Sequence, residues 1–254
     1  MDCLLAVPNV NLASVIENIR FTPILKNHMS WVTKTLSSTL GRKLIMALTG
    51  LFLILFLVGH VSGNLLLLKG DEGKSFNIYA EFMTTNPAVK LLSYLTYISV
   101  IGHVIYSIIL TRKNKSARPI AYAETKASTN SSFSSRNMGI LGTIILVFLM
   151  VHMQNFWYQM HWGDIPTVTY DGETYKDLFA VVSFSFQNEL LVLGYVIAMG
   201  FLAFHLSHGF ASAFQTLGLN HKKYSPAIET VGKIYCVVVP ALFASMPLYI
   251  YFTS

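Results

Sequence analysis

The sequence predicts an all-α polytopic membrane protein: five transmembrane helices in a bundle, with the N-terminus in the cytoplasm and the C-terminus outside. Three observations predict it. Only 12% of the 254 residues are charged, about half the ~25% of an average globular chain, and the mean hydropathy is +0.52. Asp, Glu, Lys and Arg are nearly absent from five stretches, 44–68, 88–110, 138–158, 190–214 and 231–252. The basic residues gather on alternate sides of those stretches, which is the pattern of a chain threaded back and forth through a bilayer.

Each stretch earns its place by length. At a rise of 1.5 Å per residue, 21 to 25 residues cross a hydrocarbon layer of ~30 Å. Buried helices of soluble proteins are shorter and do not come five in succession. Residues 1–28 ("MDCLLAVPNVNLASVIENIRFTPILKNH") lack the clustered positive charge of a signal peptide and read as a leader, with translation expected to begin at Met29. Residues 29–254 then form one transmembrane domain. The first span holds "LFLILFLVGHVSGNLLLL"; the second carries Lys90 and the fifth Lys233, each at its edge. Between spans two and three, "KNKSARPIAYAETKASTNSSFSSR" is basic and Ser-rich, suited to a surface that meets another protein. Between spans three and four, residues 159–189 carry turn signals at Gly163, Pro166 and Asp171-Gly172. No internal repeat is evident beyond the alternation of spans and loops.

Orientation follows from charge. Arg20, Lys26, Lys34, Arg42 and Lys43 precede span one. Arg112, Lys113, Lys115, Arg118, Lys126 and Arg136 lie between spans two and three, and Lys222, Lys223 and Lys233 follow span four. The other side has only Lys69, Lys74, Lys90 and Lys176, together with eight of the twelve acidic residues. The richer side is cytoplasmic by the positive-inside rule. The net charge of +6 is therefore a topology signal, with no nucleic-acid patch in it. Two cysteines, Cys3 and Cys236, make no disulfide framework, and without C-x-x-C-H any haem would be held by ligation alone.

Eight histidines remain to be explained. His28, His161 and His221 lie in flanks and read as interfacial. The other five lie inside spans: His60 in the first, His103 in the second, His152 in the third, His205 and His208 in the fourth. An imidazole in hydrocarbon needs a hydrogen bond or a metal, and intramembrane ionisable residues are rare and usually functional. His60, His103 and His152 stand 14 to 16 residues past the start of their spans, and His205 and His208 stand 15 and 18 past theirs. Successive spans run in opposite directions, so these depths alternate between faces. His60 and His152 come near the outer face, and His103 with one fourth-span histidine near the inner face. Two imidazole pairs suit bis-histidine haem, with irons on the order of 15 Å apart along the membrane normal. Gly59, Gly102 and Gly209, each adjacent to a histidine, would leave room for a flat macrocycle. A zinc site would need four ligands at one depth, and a proton relay would favour carboxylates beside the histidines, which spans one and three lack.

Taken together, "GRKLIMALTGLFLILFLVGH", "GHVIYSIIL", "SSRNMGILGTIILVFLMVHMQNFWY" and "HLSHGFASAFQTLGLN", in that order, resemble the di-haem cytochrome b membrane-anchor subunit of succinate dehydrogenase/fumarate reductase (succinate:quinone oxidoreductase). The version in Bacteroidetes-type bacteria is the most similar, and the resemblance runs from about Ser30 to the C-terminus. It implies two b haems with axial ligands His60, His103, His152 and His208, spans one and three sharing the outer haem and spans two and four the inner one. Depth fits His205 at least as well; the preference for His208 rests on the Gly209 that follows it. The resemblance also implies a place in a bacterial inner membrane and partnership with an iron–sulfur subunit and an FAD flavoprotein subunit. Electrons from succinate, oxidised outside this chain, would pass through both haems to a quinone, in this family menaquinone. The basic inner surface would dock the soluble subunits, with Arg42, Lys43 and Arg136 as haem-propionate partners.

A quinone needs an apolar slot and one or two groups to hydrogen-bond its carbonyls. The candidates near the outer haem are Glu81, Asn155, Trp157, Tyr158 and Glu189. Rival readings are the cytochrome b anchor of a formate dehydrogenase or a hydrogenase, which would change the soluble partner, a haem-free proton-relay transporter, and a structural anchor without cofactors.

Overall fold

The computed structural model describes residues 31–117 and 132–253. The expected leader, the start at Met29, and Arg20, Lys26, Arg118 and Lys126 lie outside the described residues.

The described chain is mostly helical, and five helical segments are long and apolar enough to cross a membrane. A short helix α1 (Trp31–Ser37) leads into α2 (Thr39–Asn64), which a 3₁₀ turn extends to Leu68 as the first span. Helix α3 (Lys74–Thr85) precedes the second span, α4 (Pro87–Ser116). A single turn, α5 (Phe133–Arg136), opens the third span, which runs as α6 (Met138–His152), a π-helical turn (Met153–Trp157) and α7 (Tyr158–Trp162). A hairpin of β1 (Thr167–Tyr170) and β2 (Glu173–Lys176) and helix α8 (Leu178–Ser185) lead to the fourth span, α9 (Glu189–Thr216), and the fifth, α10 (Ser225–Thr253). Every expected stretch falls inside its span.

The helix starts are written locally. Ser38 accepts from the Gly41 amide at 3.0 Å, and Asn86 accepts from the amides of Ala88 and Val89 with Pro87 at the first helical position. Asn188 accepts from Leu190 and Leu191. Each cap satisfies amides that an α-helix leaves without partners at its N-terminus. The outward faces are apolar: along α4, Leu91, Leu95, Ile98, Ile101 and Ile105 are all exposed, and only 6% of the most apolar window of that span is buried. Such a surface fits hydrocarbon and would be a liability in water. Span four packs against spans one, three and five, span one against spans two and five, and span two against span three.

Residues 69–86 and 163–188, which the sequence reads as loops, build a cap over one end of the spans. Asn77 of α3 is fully buried and ties it together. Its Nδ2 donates to Asp177 Oδ1 at 2.9 Å and to the Tyr170 hydroxyl at 3.3 Å, and its Oδ1 accepts from the Phe179 amide at 2.9 Å. Asp177 in turn caps α8 through the Ala180 amide. Asp171-Gly172 makes the two-residue hairpin turn, both residues at positive φ (51° and 89°), as a primed turn requires. Gly73 has φ +81°, and a Cβ there would lie 2.4 Å from Phe179 Cβ. Gly73→Ala is therefore expected to lower stability by about 2–4 kcal/mol, combining left-handed strain with overpacking, seen as a drop in the thermal midpoint of the detergent-purified protein.

Candidate haem-ligand pairs and the cavity beside them

Span one brings His60 to span three's His152, with ring centroids 5.7 Å apart and planes at 90°. Span two brings His103 to span four's His205, centroids 6.3 Å apart at 67°. The facing rings lie on spans one and three and on spans two and four, and on span four the facing ring is that of the alternate candidate, His205. The ring opposite His103 is His205; among the described residues no aromatic contact joins His208 to it. His208 stands three residues further along span four, about 4.5 Å away along the axis and about 60° round it.

The glycines beside the histidines border open space. A Cβ at Gly59, Gly102 or Gly209 would meet nothing within 4 Å. The glycines that border the second pair are Gly50 on span one and Gly142 on span three: a Cβ at Gly50 would lie 3.4 Å from His103 Cε1, and one at Gly142 3.8 Å from His205 Cε1. Gly50 precedes His60 by ten residues, and Gly142 precedes His152 by the same ten. Ten residues of helix is about 15 Å. The two pairs are therefore stacked at two levels along spans one and three. The repeated Gly-x9-His spacing was readable in the sequence and went unread.

Do these residues fit haem? Two axial imidazoles with metal–nitrogen bonds of about 2 Å hold their ring centroids about 6 Å apart, and both pairs stand at that separation. Among the described residues no hydrogen bond engages Nε2 of any of the four histidines. Among the described residues Nδ1 of His152 and of His205 is buried without a hydrogen bond, and ligation through Nε2 would leave it so. Among the described residues no group of three or more His, Cys, Asp or Glu could share a metal ion. Two protein ligands per site suit a macrocycle that brings its own equatorial donors. The side chains fit.

The surroundings of the pairs differ. Phe56 stacks on His60 at 5.3 Å and Phe148 on His152 at 5.8 Å, with Phe243 of span five and Phe156 closing the same pair. Tyr195 packs 6.2 Å from His152, its hydroxyl buried with the Asn155 side chain as polar neighbour. At the second pair, the Thr49 hydroxyl lies 3.2 Å from His103 Nδ1. Tyr195 and Thr49 were missed by sequence reasoning, since a lone hydroxyl in an apolar helix carries no periodic signal.

The quinone candidates do not form one cluster. Asn155, in the π turn, lines a cavity of about 410 Å³ with Phe184, Ser185, Gln187, Asn188 and Leu191. Trp157 and Tyr158 line a different, shallower hollow of about 320 Å³ on span three, and Trp157 Nε1 donates to the Tyr97 hydroxyl at 2.8 Å. Glu81, half-buried on α3, and Glu189, exposed in the first turn of α9, line neither. Gln187 and Asn188 share that lining because α8, just before them, packs against the π turn. His161 Nδ1 donates locally to the Trp157 carbonyl at 2.8 Å, as an interfacial residue would. Comparison with known protein families, with curated proteins and with solved structures gives no match to this chain.

Proposed function

We propose that this chain is the cytochrome b membrane anchor of a succinate dehydrogenase/fumarate reductase, carrying electrons between an iron–sulfur subunit and a quinone through two b haems. The observation that carries the reading is the pair of facing imidazoles at each of two levels, about 15 Å apart by the ten-residue spacing. The contacts among spans support a ring of the first four helices around both pairs, with span five packed outside spans one and four.

In this reading His60 and His152 hold the haem nearer the capped end, and His103 and His205 hold the other. Haem bound in this way supplies reversible one-electron chemistry without gain or loss of a ligand. The chain's residues do the rest. The apolar rings of Phe56, Phe148, Phe156 and Phe243 keep water from the first pair. Arg42, Lys43 and Arg136, at the end opposite the cap, offer cations to propionates there. The same end bears Arg112, Lys113 and Lys115, and we assign it to the cytoplasm and to the docking of the iron–sulfur and FAD flavoprotein subunits. The capped end, carrying the hairpin, would then face outward from a bacterial inner membrane.

For the quinone, which the resemblance makes a menaquinone, the cavity beside Asn155 is the site we propose. It lies three residues past His152, and the amides of Asn155, Gln187 and Asn188 could each donate to a quinone carbonyl. A π turn directly after a ligand is a recurrent device for turning side chains into a site.

The test is a dithionite-reduced minus oxidised spectrum of the purified chain together with a pyridine haemochrome assay. Two b haems per polypeptide are expected. A colourless protein that takes up no added haem would overturn the proposal.

A further inference from the structure

We infer that Thr49 is a positioning residue that fixes the tautomer of His103 and so presents Nε2 toward His205; the inference rests on the reading of the histidine pairs as haem ligands. The Thr49 hydroxyl has one proton. It is donated back along the helix, to the Ile45 carbonyl at 2.8 Å and, shared, to the Met46 carbonyl at 3.1 Å. The same oxygen lies 3.2 Å from His103 Nδ1. With its proton already committed, Oγ1 can meet Nδ1 only as an acceptor, so Nδ1 carries the imidazole proton. The lone pair of a neutral imidazole is then on Nε2, the nitrogen that no group among the described residues engages.

The neighbouring residue makes this contact reachable. A Cβ at Gly50 would stand 3.4 Å from His103 Cε1 and 3.9 Å from Nδ1, so the bare backbone lets the ring lie against span one, where the hydroxyl is. A threonine in the middle of a helix commonly bonds its own backbone and nothing else. Here the two functions are joined: the back-bond is what turns the oxygen's lone pair toward the neighbouring span. The partner ring has no such anchor, since His205 Nδ1 is buried without a hydrogen bond. The pair is therefore held from one side.

An acceptor on the second nitrogen makes a ligating imidazole a stronger donor and fixes its plane; loss of such partners typically weakens metal binding 10–100-fold. Thr49→Val keeps the branched shape and removes the acceptor, Thr49→Ala removes it with a smaller group, and Thr49→Ser keeps it. The experiment is a potentiometric titration of the purified chain, resolving its two b components, with haem retention measured alongside. In both Thr49→Val and Thr49→Ala, one component is expected to rise in midpoint potential, because a weaker donor stabilises the oxidised iron less, and its haem to be lost about tenfold more readily. The other component stays put, and Thr49→Ser behaves as the parent. Two haems with unchanged potentials and retention in Val and Ala variants would overturn the inference and leave the haem reading standing. Equal disturbance of both components would overturn it too, as a general loss of packing. A parent chain that binds no haem would overturn the haem reading itself, and this inference with it.

Discussion

On the proposed di-haem reading, His205→Ala is expected to leave the purified chain with about one b haem in place of two, and His208→Ala to leave both. The expectation comes from geometry, since His205 stands across from His103 at a centroid distance of 6.3 Å and is bordered by Gly142. His208, half-buried one turn further on, makes no ring contact with span two among the described residues. His60→Ala and His152→Ala should each remove the other haem, and the double variant His60→Ala/His205→Ala should remove both. The measurement is the haem-to-protein ratio by pyridine haemochrome, with the reduced spectrum showing which component is gone. Loss of a haem in His208→Ala with both retained in His205→Ala would reverse the assignment. A ratio of one is a large effect because an axial ligand contributes through a bond, whereas its neighbours contribute through orientation.

Asn77→Leu is expected to destabilise the cap by about 2–4 kcal/mol without removing either haem. Leucine has as many side-chain heavy atoms as asparagine but leaves the Phe179 amide without its acceptor and the half-buried Asp177 and Tyr170 without a donor, around a side chain that is itself fully buried. Each such loss costs about 1–3 kcal/mol, partly relieved by relaxation. Limited trypsin digestion reads it directly: cleavage after Lys74 and Lys176 should quicken, while the haem ratio stays at two. Unchanged cleavage would show that the three segments are held by apolar packing alone, through Phe76, Val182 and Phe186 of the same core cluster. Disturbance of the cap should also reach the cavity beside Asn155, since α8 supplies its far wall.

The two predictions differ in how far each was legible. The histidines could be placed by counting, since the rise of a helix converts sequence position into depth. The cap could not. Asn77 meets Tyr170, Asp177 and Phe179 across 93 to 102 residues, and nothing local in "KSFNIYAEF" distinguishes a hub from a surface asparagine. Residues 159–189 read as loop because their turn signals are local, whereas the helix over 178–185 starts on Asp177, an N-cap that is itself bonded to Asn77.

By itself, the sequence determined that the chain has five apolar spans, roughly where they begin and end, and at what depth each histidine lies. Hydrocarbon accepts only a continuous apolar helix, and that is a one-dimensional property. The tertiary structure alone decided rotation about each helix axis. It set the His205 ring against that of His103, put Gly50 and Gly142 beside them, and brought the Thr49 hydroxyl to His103 Nδ1. It also placed a π turn after His152, which sets the direction of Asn155. Rotation is fixed by which neighbour a face packs against, and counting residues gives depth without saying which neighbour that is.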